Sequence, residues 1–100
     1  MKKVFAASIA GLMLVSANAS LAGDLAAGKS RAASCSGCHG IKGISANPLW
    51  PNLAGQKDAY LAKQLKAFRD GARSDPMMTP MAKPLSDADI ENLAAYYSSL

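Results

Sequence analysis

Cys35-Ser36-Gly37-Cys38-His39 sets two thiols and an imidazole within five residues, and holds both cysteines and the single histidine of this 100-residue chain. In the C-x-x-C-H spacing the thiols can form thioethers with the vinyl groups of one haem while the adjacent imidazole reaches its iron. One covalently bound haem c is therefore the first expectation, with Cys35 and Cys38 as anchors and His39 as an axial ligand. Two rival uses of paired cysteines fit less well. A thioredoxin-like redox pair needs a βαβ setting that the pattern does not offer, and a zinc site needs more ligands than the chain holds.

Low-spin iron used for electron transfer takes two strong axial ligands, and no second imidazole exists to serve as the other. The remaining candidates are a methionine thioether, a lysine amine, water or an open position; Met/His ligation raises the potential. Met77, Met78 and Met81 lie about forty residues past His39, far enough for the chain to wrap the haem and reach its other face. Spacing does not choose among them, and methionine is more often a gap-filler than a ligand. Without methionine ligation, an open distal site would instead suit peroxidase or gas-binding chemistry.

Thioethers to haem are normally made outside the cytoplasm, which calls for an export signal. Lys2 and Lys3 precede an apolar run from Val4 to Val15, with small residues at Ala17, Ala19, Ser20 and Ala22. That is the pattern of a secretory leader, too short to span a bilayer comfortably. Cleavage fits after Ala19 or after Ala22, and the latter leaves Gly23-Asp24 ahead of a helical pattern. The expected organisation is a leader over 1–22, removed on export to the periplasm together with Met1 and Met13, and one domain over 23–100.

Seventy-eight residues support a single small core, for which a tethered porphyrin would act as a nucleus. Two of the eleven basic residues fall in the leader, so nine face seven acidic ones, a balance of +2. Two haem propionates would bring this near neutrality, which argues against nucleic acid as a partner.

The elements that must position the motif read as helices. Asp24 is a candidate N-cap, and Leu25, Gly28, Ala32 and Cys35 form a face running into the motif. Glycines, prolines and asparagines make Gly40 to Gly55 loop and turn. A second amphipathic helix spans Asp58 to Arg69, with Leu61, Leu65 and Phe68 on its stripe, and Lys66 and Arg69 suited to its C-terminal dipole. Residues 71–85 are expected to be irregular because of Pro76, Pro80 and Pro84. Ser86 and Asp89 open a last helix in a capping-box arrangement, with Ile90, Leu93, Ala94 and Tyr97 buried. No strand of convincing alternation is found, and the class is all-α with three main helices. Lys57, Lys63, Lys66, Arg69 and Arg73 read as a solvated face, with an acidic redox partner as the minority reading.

The chain resembles the small class I c-type cytochromes, particularly the cytochrome c553 type and the single domains of dihaem cytochrome c4. The resemblance lies in Cys35 to Gly40, Trp50 to Gln56, Tyr60-Leu61, Lys63-Gln64-Leu65, Phe68, Gly71, Met78-Thr79-Pro80-Met81, Pro84 to Asp87, and Asp89-Ile90 to Tyr97. It implies a small single-domain class I cytochrome c fold, three main helices and loops wrapped around one haem. It further implies Met78 as the distal ligand and the Pro48 carbonyl as acceptor of the His39 Nδ1 proton. Unlike a full cytochrome c4, the chain has no second C-x-x-C-H, so one haem is expected. The function implied is electron transfer rather than catalysis, shuttling single electrons between redox proteins such as cytochromes, oxidases or reductases. A monomer or weak dimer without stable membrane insertion is expected, the alternative being a haem subunit of a larger oxidoreductase.

Overall fold

Asp24 starts the first helix as its residue type favours, its carboxylate accepting from Ala26 N at 2.9 Å and Ala27 N at 3.1 Å. The computed structural model describes residues 23–100 and Gly11, so the expected leader and its cleavage sites lie, Gly11 apart, outside the described residues. Five α-helices follow in order: α1 (Leu25–Arg31), α2 (Ser36–His39), α3 (Asp58–Asp70), α4 (Met78–Ala82) and α5 (Asp87–Ser98). No strand occurs among the described residues, in agreement with the all-α expectation.

The first helix does not run unbroken into the motif. A 3₁₀ turn over Ala32–Ser34 intervenes, and α2 carries Cys38 and His39 as a separate short helix. The buried positions of the lead-in are Gly28 and Ala32, whereas Leu25, expected on the same face, is 52% exposed. Gly28 explains this difference. A Cβ there would lie 2.1 Å from the Asn92 carbonyl oxygen and 2.7 Å from the Tyr96 Cβ. Helices α1 and α5 thus cross with backbones almost touching, a contact only glycine permits, and the crossing rather than Leu25 seals that side. Asp24 N donates to Asn92 Oδ1 at 2.8 Å and ties the start of α1 to the same helix.

Helix α5 has the predicted form. Ser86 Oγ accepts from Asp89 N, Asp89 Oδ2 accepts from Ser86 N, both at 3.0 Å, and Ile90, Leu93, Ala94 and Tyr97 are all buried. They form the core with Leu61, Ala62 and Phe68 of α3, Ala82 of α4, and Ala32 and Leu85. Complete burial of a Leu or Ile side chain contributes roughly 1.5–3 kcal/mol, and Ile90 and Leu93 are the two largest side chains buried to this degree.

Helix α3 ends at Gly71, whose φ of 92° is left-handed and whose N–H returns to Ala67 O. Arg69, read from sequence as a partner of the helix dipole, instead clamps the end of α3 to the start of α5. It donates to Asp70, to Asp87 at 2.7 Å and to the Leu85 carbonyl at 3.2 Å.

Residues 71–85 are not irregular throughout, because α4 forms within them. Pro80 is tolerated as the third residue of α4, where an N–H would have had no helical partner. Thr79, though it precedes a proline, is helical.

Candidate haem-binding site

Cys35 closes the 3₁₀ turn, and its carbonyl accepts from Cys38 N at 3.3 Å and His39 N at 3.0 Å, so one tight turn brings both thiols and the imidazole together. Neither cysteine is in a disulfide. Burial pushes the Cys35 thiol above its ordinary value, with the Ser34 hydroxyl 3.9 Å from its sulfur pulling the other way. Gly40 lets the chain leave the motif: its φ is 86°, and a Cβ would fall 1.9 Å from the Ile44 carbonyl oxygen.

The loop that follows folds back over the imidazole. The Gly43 carbonyl accepts from Leu53 N and Ala54 N at 2.8 and 3.0 Å, and Asn52 Oδ1 accepts from Ser45 N at 2.7 Å. His39 is buried, and its Nδ1 lies 2.8 Å from the Pro51 carbonyl oxygen. A carbonyl only accepts, so Nδ1 carries the proton and Nε2 keeps the lone pair that a metal requires. Such a bond fixes the ring's orientation and raises its basicity.

The acceptor is therefore Pro51, not Pro48, which the resemblance had implied. Residues 47–50 form a reverse turn, closed by Trp50 N to Asn47 O at 3.0 Å and braced by Leu49 N to Asn47 Oδ1 at 2.8 Å. Pro48 sits exposed at its corner, and the chain must complete the turn before a carbonyl meets His39. Two X-Pro pairs three residues apart looked alike in sequence; the turn separates them.

Met78 begins α4 half-buried and packs against the core. Asp75 accepts from the backbone N–H groups of Met77 and Met78, which hold its carboxyl below the ordinary aspartate value. Met77 and Met81 are 57% and 44% exposed.

A cavity of about 320 Å³ joins these parts. Cys35, Cys38, His39 and Met78 all line it, together with Leu61, Leu65 and Phe68 of α3 and Leu93 and Tyr97 of α5. Its walls also include Trp50 and Tyr60, both exposed on their outer sides. The arrangement fits a haem: two free thiols, a lone-pair imidazole nitrogen and a thioether converge on one largely apolar space. The Tyr97 hydroxyl is, among the described residues, the one buried side-chain polar atom with no hydrogen-bond partner, as a wall made to meet another group would leave it. Burial, reinforced by nearby Cys35, raises its phenol above the ordinary tyrosine value.

A family model described as cytochrome c matches residues 25–100. The chain belongs to the cytochrome c family. Its relatives include cytochrome c-554(548) of Halomonas halodenitrificans, 51% identical over 81 residues that cover 78% of this chain and 98% of that one. A "thiosulfate dehydrogenase electron acceptor" of Thiomonas intermedia is 46% identical over 102 residues, which cover the whole of this chain and 45% of the relative. Among solved structures, reduced recombinant cytochrome c4 from Pseudomonas stutzeri matches with a TM-score of 0.74 at 45% identity, over 78% of this chain and 46% of that one. The chain thus spans nearly all of the first relative and less than half of the other two. This cytochrome is an electron-transfer protein with covalently bound haem c.

The basic residues on and after α3 are largely committed within the molecule. Lys66 pairs with Glu91 at 3.2 Å and Arg69 with Asp70 and Asp87. Arg73 lies 4.4 Å over the Phe68 ring and donates to Gln64 at 2.8 Å. These contacts favour the solvated-face reading over a free docking patch. The Pro51 acceptor and the Asp75 cap are what sequence reasoning placed elsewhere or missed. A carbonyl leaves no mark on side-chain identity, but Asp75, three residues before Met78 and followed by Pro76, carried a legible capping signal.

Proposed function

We propose that residues 23–100 form a monohaem one-electron carrier, anchored by Cys35 and Cys38 and ligated by His39 and Met78. The haem when bound supplies a ferric/ferrous couple, and the chain's own residues set the conditions for it. Pro51 holds the Nδ1 proton and keeps His39 in one orientation. Leu61, Leu65, Phe68 and Leu93 exclude water, and a soft thioether from Met78 favours the reduced state. With His39 and Met78 holding the iron, the haem would change redox state with no exchange of residues, and these two side chains would leave no position for peroxide or a gas. The observation that carries this reading is that Met78 and the three chemistry-bearing residues of the motif, Cys35, Cys38 and His39, line one largely apolar cavity.

The test is a spectrum of the purified haem-loaded protein in both redox states. Six-coordinate low-spin features with the methionine-to-iron charge-transfer band in the ferric form are expected, and the band should vanish in Met78→Ala. A high-spin ferrous spectrum in the native protein, unaltered in Met78→Ala, would overturn the carrier mechanism.

Partners on this reading are redox proteins met through small transient contacts in the periplasm. Export with removal of residues 1–22 is supported by the leader pattern, and the N-terminal sequence of the secreted form, expected to start at Gly23, tests it. The Thiomonas relative's name favours a thiosulfate-oxidising dehydrogenase as one electron donor. Thiosulfate-dependent reduction of this cytochrome by such an enzyme is the measurement that decides it.

A further inference from the structure

Three methionines line the same cavity within five residues of chain, so some feature must decide which sulfur is presented. At the start of α4 the backbone donors are all assigned. Asp75 Oδ1 accepts from Met77 N at 2.8 Å and from Met78 N at 2.9 Å. The Asp75 carbonyl accepts from Thr79 N at 3.1 Å, and Pro80 has no N–H to satisfy. The donors that a helix start ordinarily leaves without partners are thereby accounted for. The contact also closes in the reverse direction, since Asp75 N donates to Thr79 Oγ1 at 3.0 Å. Pro76, inside this ring of bonds, has a fixed φ and adds no competing donor.

We infer that Asp75 is a positioning residue whose clasp with Thr79 sets the first turn of α4, so that Met78 rather than Met77 or Met81 presents its sulfur to the haem iron. The inference rests on the assignment of Met78 as the axial ligand. Asp75 is not part of the cavity wall and acts through the backbone it holds. What matters on this account is an oxygen acceptor at Oδ1 more than the charge, because Asn caps helix starts as well as Asp does.

The experiment titrates the ferric haem-loaded protein with imidazole, which competes with the thioether, and follows the methionine-to-iron band. Loss of a cap worth ~1 kcal/mol corresponds to about a fivefold shift toward the released thioether. Asp75→Ala should therefore bind imidazole about fivefold more tightly and show a weaker band, while Asp75→Asn should stay within about twofold of native. Ser86→Ala, which removes the cap of α5 and touches no bond of the Asp75 clasp, serves as the comparably destabilised control and should leave imidazole affinity unchanged. If Asp75→Ala does not yield haem-loaded protein, Thr79→Val is read in its place, with tighter imidazole binding of at least about twofold expected.

Native-like affinity in Asp75→Ala, or an equal increase in Ser86→Ala, overturns the clasp. Should Met78→Ala retain the band, the ligand assignment itself has failed. Loss of the band in Met78→Ala beside an unaltered Asp75→Ala defeats the clasp alone.

Discussion

The two sides of the haem site are built by different means. On the histidine side, five consecutive residues bring thiols and imidazole together in one turn, and a loop 12 residues further on supplies the Pro51 carbonyl that orients the ring. On the methionine side, three chemically identical side chains compete within five residues, and the packing of α4 separates half-buried Met78 from exposed Met77 and Met81. The first side is specified by covalent order and the second by where a short helix begins. On the proposed ligation, a motif read along the chain thus locates one ligand directly and leaves the other to tertiary structure.

The largest effect should come where both sides share a wall. Leu93 is almost wholly buried in the core and lines the cavity. Leu93→Ala is expected to lower stability by about 2–5 kcal/mol in denaturant unfolding of the haem-loaded protein. A loss below about 1 kcal/mol would mean that the cavity wall is not a shared support.

A smaller change separates the sides. Asn47→Ala removes the acceptor for Leu49 N and weakens the turn that delivers Pro51 to His39. About 1 kcal/mol of stability should be lost, with a higher potential because a weaker Nδ1 bond leaves the imidazole a poorer donor to ferric iron, while the methionine band stays in place. A weakened band with an unchanged potential would reverse the division drawn between the two sides.

The smallest effect lies in the α5 cap and is visible only in acid. The Ser86 N–H holds the Asp89 carboxyl below its ordinary value of 3.8, with nearby Arg31 adding a minor contribution. A carboxyl depressed in the folded state stabilises the fold above its unfolded pKa, and that contribution is lost as pH falls through the folded value. Stability should thus decline below about pH 4, and Asp89→Asn should flatten that decline while leaving the methionine band and potential unchanged. An identical acid slope in native and variant protein would show that Asp89 is not among the groups responsible.

Several elements were legible because their signals are local. Ser86, Asp89 and the spacing of Ile90, Leu93, Ala94 and Tyr97 placed α5 correctly, since capping and helical periodicity act over a few residues. Leu25 was misjudged because the close crossing at Gly28, not apolar spacing, decides what α1 buries. The prolines of 71–85 concealed α4, since a proline in a first helical turn removes no hydrogen bond. Arg69 read as a helix-end charge, and only the approach of Leu85 and Asp87 made it a clamp.

By itself the sequence determined the chemistry: two thiols and one imidazole at C-x-x-C-H spacing, one histidine and hence no second imidazole, three amphipathic helices, and methionines within reach of the far face. The resemblance carried by its motifs extended this to a class I cytochrome domain. Tertiary structure alone decided which carbonyl orients His39 and which of the three methionines along the cavity is half-buried against the core rather than exposed. Both are choices among like groups a few residues apart, separated by the path of a turn and the start of a helix, and side-chain identity does not record either.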